Sequence, residues 1–148
     1  MAVILTGDGG WAGLDREVAG VLASRGVPVV GWDSLRYYWK AKNPDVAARD
    51  LGRIIQHYSV VWNRPRVLLV GYSMGADVLP FLLNRLPAEQ RAQVASTSLL
   101  GLSSEAFFEF RVGQWLGAGG GGLPVEPEMR GLRGANLTCL YGSEETDT

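Results

Sequence analysis

Cysteine and histidine are almost missing from this chain: 148 residues contain one of each, Cys139 and His57. A single cysteine excludes an internal disulfide, and the two residues together supply no metal-ligand spacing. Cys139 sits in the apolar stretch "NLTCLYG", where it is expected as a small core residue. Excess charge is missing as well. Fourteen Lys and Arg against 15 Asp and Glu leave a net charge of −1. That balance gives no whole-protein electrostatic argument for nucleic acid or for a broad membrane-surface patch. No apolar run approaches the ~18 residues of a membrane span. No basic, then apolar, then small-residue leader precedes the opening "AVILT", so the expectation is a cytoplasmic protein or a processed or trimmed form. The length suits one domain, 1–148, burying roughly 68–70 % of its unfolded surface.

Short apolar runs are what the chain does have. "AVILT" (2–6), "PVVGW" (28–32), "RVLLVG" (66–71) and "ASTSLLGL" (95–102) predict buried strands, and "ANLTCLYG" (135–142) a weaker fifth. Their Val, Ile and Leu content without strict alternation fits parallel strands covered on both faces. Helical patterns lie between them. Leu14, Val18, Val21 and Leu22 share one face, with Gly26 as C-terminal cap. Asn43 is a good N-cap with Pro44 at the first helical position, and Ala47, Leu51, Ile54, Ile55 and Tyr58 form an apolar stripe. Strand alternating with helix implies an α/β fold, a three-layer αβα sandwich on a mostly parallel sheet of about five strands. Segment 103–134, with "GAGGGG" at 117–122, is expected to be an irregular loop.

Residues 67–86, "VLLVGYSMGADVLPFLLNRL", place Gly71-Tyr72-Ser73-Met74-Gly75 between a strand and a helix pattern. Gly-x-Ser-x-Gly in that context is a nucleophile elbow. A sharp, strained turn presents the serine hydroxyl at the C-terminal edge of the sheet, and the flanking glycines remove Cβ atoms that would clash. The helix N-terminus behind it favours a developing oxyanion. The bland alternative is a tight turn with a filler serine. Pro80 should bend the following helix. Asp77, one turn after Ser73, is expected as a local hydrogen-bonding residue, because a relay acid touches the histidine and not the serine.

"TGDGGW" (6–11) follows the first strand, where hydrolases of this kind donate a loop N–H to the oxyanion, the second donor being the residue after the nucleophile. The candidates are Asp8, Gly9, Gly10 and Met74; a plain tight turn is the alternative, and no phosphate-loop pattern is present. The acid of a Ser–acid–His order should follow a later strand. Asp147 or Glu145 fits, an acidic tail being the alternative, with Glu105 in reserve. His57 lies in the helix before the serine strand and is expected to be a surface or packing residue.

"GDGGW", "RGVPVVGWDSLRYYW", "GYSMGADVLPFLLNRLP", "LLGLS", "FEFRVGQWLG" and "LYGSEETDT" together resemble the VirJ/AcvB bacterial virulence-protein family along essentially the whole chain. The resemblance implies an α/β-hydrolase fold in the periplasm of Gram-negative bacteria, without cofactor. It implies cleavage of the ester joining an amino acid, typically lysine, to phosphatidylglycerol, and for some members an association with type IV secretion components. Ser73 matches the family nucleophile, "GDGGW" its oxyanion loop and Asp147 its acid. The family histidine lies in a downstream segment that these residues lack, together with a final strand and helix, so the fold is expected as a truncated α/β-hydrolase domain. For the implied substrate, Arg36 suits a lipid phosphate. Asp33, Tyr37, Tyr38 and Trp39 around it, with Trp11 and Tyr72 beside the two turns, are the other candidate contacts; aromatic packing under a loop is the alternative. A non-catalytic module that binds secretion components is the rival function.

Overall fold

The structure is a computed structural model that describes residues 1–110 and 121–142. Five strands form the main sheet: β1 (Ala2–Leu5), β2 (Val29–Trp32), β3 (Val67–Tyr72), β4 (Val94–Leu100) and β7 (Leu137–Leu140). Their order is β2-β1-β3-β4-β7, and every pairing is parallel. The five runs of β-branched and apolar residues supply these strands, as the sequence predicts. From β1 the chain steps outward to β2, then returns past β1 to β3 and continues in that direction. The connections after β1 and β3 therefore leave toward opposite faces, and a crevice opens between their C-terminal ends.

One face carries α3 (Pro44–Val61) and α4 (Met74–Arg85), packed on each other and on the sheet. Asn43 caps α3 as expected, its Oδ1 accepting the Asp45 N–H at 2.7 Å, with Pro44 in the first turn. Ala47, Leu51 and Ile55 of the predicted stripe are fully buried. Residues 74–83 of α4 are buried all round, which is why that helix lacks a polar face. It runs from Met74 to Arg85 straight through Pro80.

The other face carries α1 (Gly13–Ser24) against β1 and β2. Half of its predicted apolar stripe is in solvent, Leu14 being 39 % and Val21 51 % exposed while Val18 and Leu22 are half-buried, and its buried residue is Asp15. Gly26 takes the φ of +76° expected past a helix end. Among the described residues there are three further helices: α2 (Ser34–Tyr37), α5 (Ala88–Gln93) and α6 (Glu126–Gly131). The expectation of an irregular 103–134 is corrected for its described parts, 103–110 and 121–134, while 111–120, with most of "GAGGGG", lie outside the described residues. β5 (Glu105–Ala106) pairs antiparallel with β6 (Leu123–Pro124), and α6 docks on α4 through Arg85 Nη1–Glu128 at 2.8 Å and Asn84 Nδ2–Glu128 at 2.6 Å. Cys139 is free and half-buried.

Candidate active site

Ser73 stands at the C-terminal end of β3, on the crevice. Its φ of 50° and ψ of −120° put a non-glycine residue in a sparsely populated backbone region, a strain of about 1–3 kcal/mol. Two forces hold it there. Its N–H donates to the Leu100 carbonyl of β4 at 2.9 Å, and its own carbonyl accepts the Ala76 and Asp77 N–H groups at 2.7 and 3.0 Å. The hydroxyl caps nothing in the helix. Both elbow glycines are required sterically. A Cβ on Gly71 would lie 2.6 Å from the Gly75 carbonyl oxygen, and one on Gly75 would strike the Leu5 carbonyl.

The β1 loop closes the other side. A Cβ on Gly7 would lie 3.3 Å from Ser73 Cβ and 3.4 Å from the Tyr72 ring, so the bare backbone of Gly7 faces the serine. Gly7 was not among the candidates of the sequence reading. Its signal is its place one residue past Thr6, opposite the serine turn once β1 and β3 are taken as neighbours. Gly10, at φ +71°, donates its N–H to the Gly7 carbonyl at 3.2 Å and closes the loop on itself. That spends the Gly10 amide, one of the candidate donors; another, the Met74 N–H, belongs to the first turn of α4 and has no intrahelical acceptor. Thr6, fully buried, ties the loop to the start of α2: its Oγ1 donates to the Gly7 carbonyl and accepts the Ser34 N–H, both at 3.0 Å.

Asp77 is 7 % exposed, and its Oδ1 accepts the Ser103 N–H at 2.7 Å. It is the local clamp expected, fastening the loop after β4 to the serine helix. Burial pushes its carboxyl up to about 7, against the stabilising Ser103 contacts and with a smaller push from Asp8.

The candidate substrate residues fall in two groups. Tyr72, 38 % exposed, borders the serine directly. Trp11 lies across β2, where a Cβ on Gly31 would be 2.6 Å from its ring. Asp33 caps α2, accepting the Arg36 N–H at 3.1 Å, and stands 3.4 Å from a Cβ built on Gly10. Beside it an open cavity of about 560 Å³ is lined by Trp32, Asp33, Arg36, Tyr37, Asp50, Arg53 and Ile54. Tyr37 donates its hydroxyl to Asp50 Oδ2 at 2.6 Å, and burial with that bond raises the phenol above its ordinary range. Tyr38, by contrast, is fully buried and belongs to the core. β2 is two strands from β3, so this cavity lies about 10 Å or more from the serine.

His57 is exposed near the end of α3, edge-on to Tyr58 at 4.9 Å, at the opposite end of the sheet from Ser73. It is a surface residue. Asp147 and Glu145 lie outside the described residues; Glu105 is exposed on β5. Among the described residues no group of His, Cys, Asp and Glu could hold a metal ion. No described helix is long and apolar enough to cross a membrane.

No curated protein matches this chain. Two solved structures share its fold at low identity. One is LpqC, a poly(3-hydroxybutyrate) depolymerase from Bordetella parapertussis, with a TM-score of 0.60 and 15 % identity. It matches over 96 % of this chain and 54 % of its own, so the present chain spans about half its length. The other is an acetylxylan esterase, with a TM-score of 0.55 and 12 % identity over 96 % of this chain and 81 % of its own. The model of one family, bacterial virulence protein (VirJ), matches residues 1–148 in full, and with its α/β-hydrolase-type sheet and serine elbow the chain belongs to the VirJ family.

Proposed function

We propose that this chain carries the nucleophile of a serine esterase that hydrolyses the aminoacyl ester of an aminoacylated phosphatidylglycerol, of the lysyl type. The observation that supports it most is the strained Ser73 facing Gly7 across the β1–β3 crevice. In this reading Ser73 Oγ attacks the ester carbonyl carbon and passes its proton to a base. The oxyanion is held by the Met74 N–H with the loop amides of Asp8 and Gly9, where charge develops. Collapse of the tetrahedral intermediate releases the lipid hydroxyl and leaves the amino acid esterified to Ser73, and water then frees it. Asp147 orients the histidine that acts as base in this reading; His57 is too far from the crevice to serve. Arg36 pairs with the lipid phosphate at the α2 cavity, with Asp33 and Tyr37 beside it and Trp11 and Tyr72 flanking the path to the serine. The substrate class and a periplasmic location are parts of this proposal that go beyond the family's description as a bacterial virulence protein.

The test is release of free amino acid from vesicles containing lysyl-phosphatidylglycerol, with the parent protein and its Ser73→Ala variant. Release that Ser73→Ala abolishes, and that Arg36→Ala weakens mainly through KM, supports the assignment. Equal rates in all three oppose it. A second reading keeps the hydrolase shell as a binding module for type IV secretion components. One observation favours it: among the described residues no histidine stands near Ser73. Function that survives Ser73→Ala would select it.

A further inference from the structure

Trp39 is 62 % exposed, yet it is not a loose surface residue. Its ring stacks on Phe110, centroids 5.5 Å apart and planes 14° from parallel. The two segments that carry the pair are tied by backbone bonds, Phe110 N–H to the Tyr38 carbonyl at 2.7 Å and Lys42 N–H to the Phe108 carbonyl at 2.8 Å. Their neighbours Tyr38 and Phe108 point inward and meet edge-on in the core, centroids 5.7 Å apart. Tyr38, the C-cap residue of α2 at φ −92° and ψ 13°, is thus anchored in the core, and the turn that follows it leaves Trp39 in solvent. Scattered single apolar residues on a surface need no explanation; a braced, coplanar indole–phenyl pair does.

The charges around it that have no ion-pair partner among the described residues are cationic. Lys40 is exposed without an ion pair among the described residues, and the exposed Arg36 guanidinium has no carboxylate partner there. Lys42 sits 5.0 Å over the Tyr37 ring. The neighbouring acids are occupied: Asp33 caps α2, Asp45 pairs with Arg85 at 3.2 Å, and Glu109 has a partner. The unpaired charges beside the stack, on Lys40 and Arg36, are therefore cationic on a protein of net charge −1. Trp39 follows β2 and Phe110 follows β4, so both emerge at the C-terminal end of the sheet, as Ser73 does.

We infer that the Trp39–Phe110 stack, with Lys40 beside it, is a docking surface for an anionic lipid bilayer. A rigid indole with an apolar body and a polar N–H belongs at the boundary between headgroup and acyl chain. Lysine lays its stem on apolar surface and keeps its ammonium among the phosphates. Area and charge together give such interfacial contacts their strength. The contact is with the bilayer and not with a scissile ester, so it stands apart from the esterase reading.

The test uses the chain in a Ser73→Ala background and extruded vesicles without aminoacylated lipid, so the result is independent of catalysis. Co-sedimentation is measured with equal parts of phosphatidylglycerol and phosphatidylcholine, and with phosphatidylcholine alone. The chain should pellet with the anionic vesicles and hardly at all with the neutral ones. Lys40→Glu should weaken binding at least about tenfold, since each charge near the surface is worth about fivefold. Trp39→Ala should lose a similar amount and Trp39→Phe should keep most of the binding. Lys40→Glu and Trp39→Phe decide the matter even if Trp39→Ala unfolds. A chain that stays in the supernatant with anionic vesicles, as a face made for a protein partner would leave it, overturns the inference. So does binding that folded Trp39→Ala and Lys40→Glu both retain.

Discussion

The backbone of Gly7 lies directly against Ser73: a methyl group on Gly7 would sit 3.3 Å from the serine Cβ. Two turns from adjacent parallel strands thus meet with the bare backbone of Gly7 against the serine. Most of the chemistry assigned to this chain depends on that approach and on the strain that maintains it.

Strain at Ser73 predicts a trade between stability and function. Glycine adopts a φ of 50° without a Cβ penalty, so Ser73→Gly should raise stability by about 1 kcal/mol while removing the nucleophile. Ser73→Ala keeps the Cβ and should leave stability nearly unchanged. Thermal melts of the three forms check the order.

Gly75 tests the steric account of the elbow. A Cβ there meets the Leu5 and Thr6 carbonyls, rigid backbone that cannot rotate away, so Gly75→Ala should cost about 1–3 kcal/mol or more. Gly9, with nothing within 4 Å of a built Cβ, is the control, and Gly9→Ala should melt close to the parent.

Thr6→Val keeps the shape and removes the oxygen that joins the Gly7 carbonyl to the Ser34 N–H. The Ser34 amide would be left buried and unpaired, at about 1–3 kcal/mol. Denaturant unfolding should show that loss. Thr6→Ser, which restores the hydroxyl, should recover part of it.

Asp77 gives a pH signature of known sign. Its folded carboxyl titrates at about 7 because it is buried, well above its unfolded value, so the folded state holds the proton longer. Stability should therefore be greatest below about pH 4 as far as this group is concerned, and fall as pH rises toward 7. Asp77→Asn keeps an acceptor for Ser103 and cannot titrate. The stability difference between parent and Asp77→Asn should swing against the parent across that window; a flat difference would refute the assignment.

The strands and the elbow were legible because their signals are local: β-branched apolar runs, and glycine at both flanks of Ser73. The Asn43 cap and the α3 stripe were legible for the same reason. The α1 stripe misled, since periodicity marks an amphipathic face without showing what covers it; Leu14 and Val21 stay in solvent while Asp15 is buried. The helix α6 escaped notice because six residues with Pro127 in the first turn carry too little period, and its fixing contacts come from Asn84 and Arg85, more than 40 residues away. Gly7, Thr6 and Ser34 were invisible for a related reason. Their roles arise only when β1, β2 and β3 lie side by side, a register that no single segment encodes.

The most direct measurement is the reaction of the parent protein with a fluorophosphonate probe, read by intact mass and peptide mapping. The account predicts a single adduct on Ser73, absent from Ser73→Ala and suppressed when the Gly7–Gly10 loop is loosened by Thr6→Val. A folded parent protein that takes up no probe, or takes it up at another residue, would contradict it.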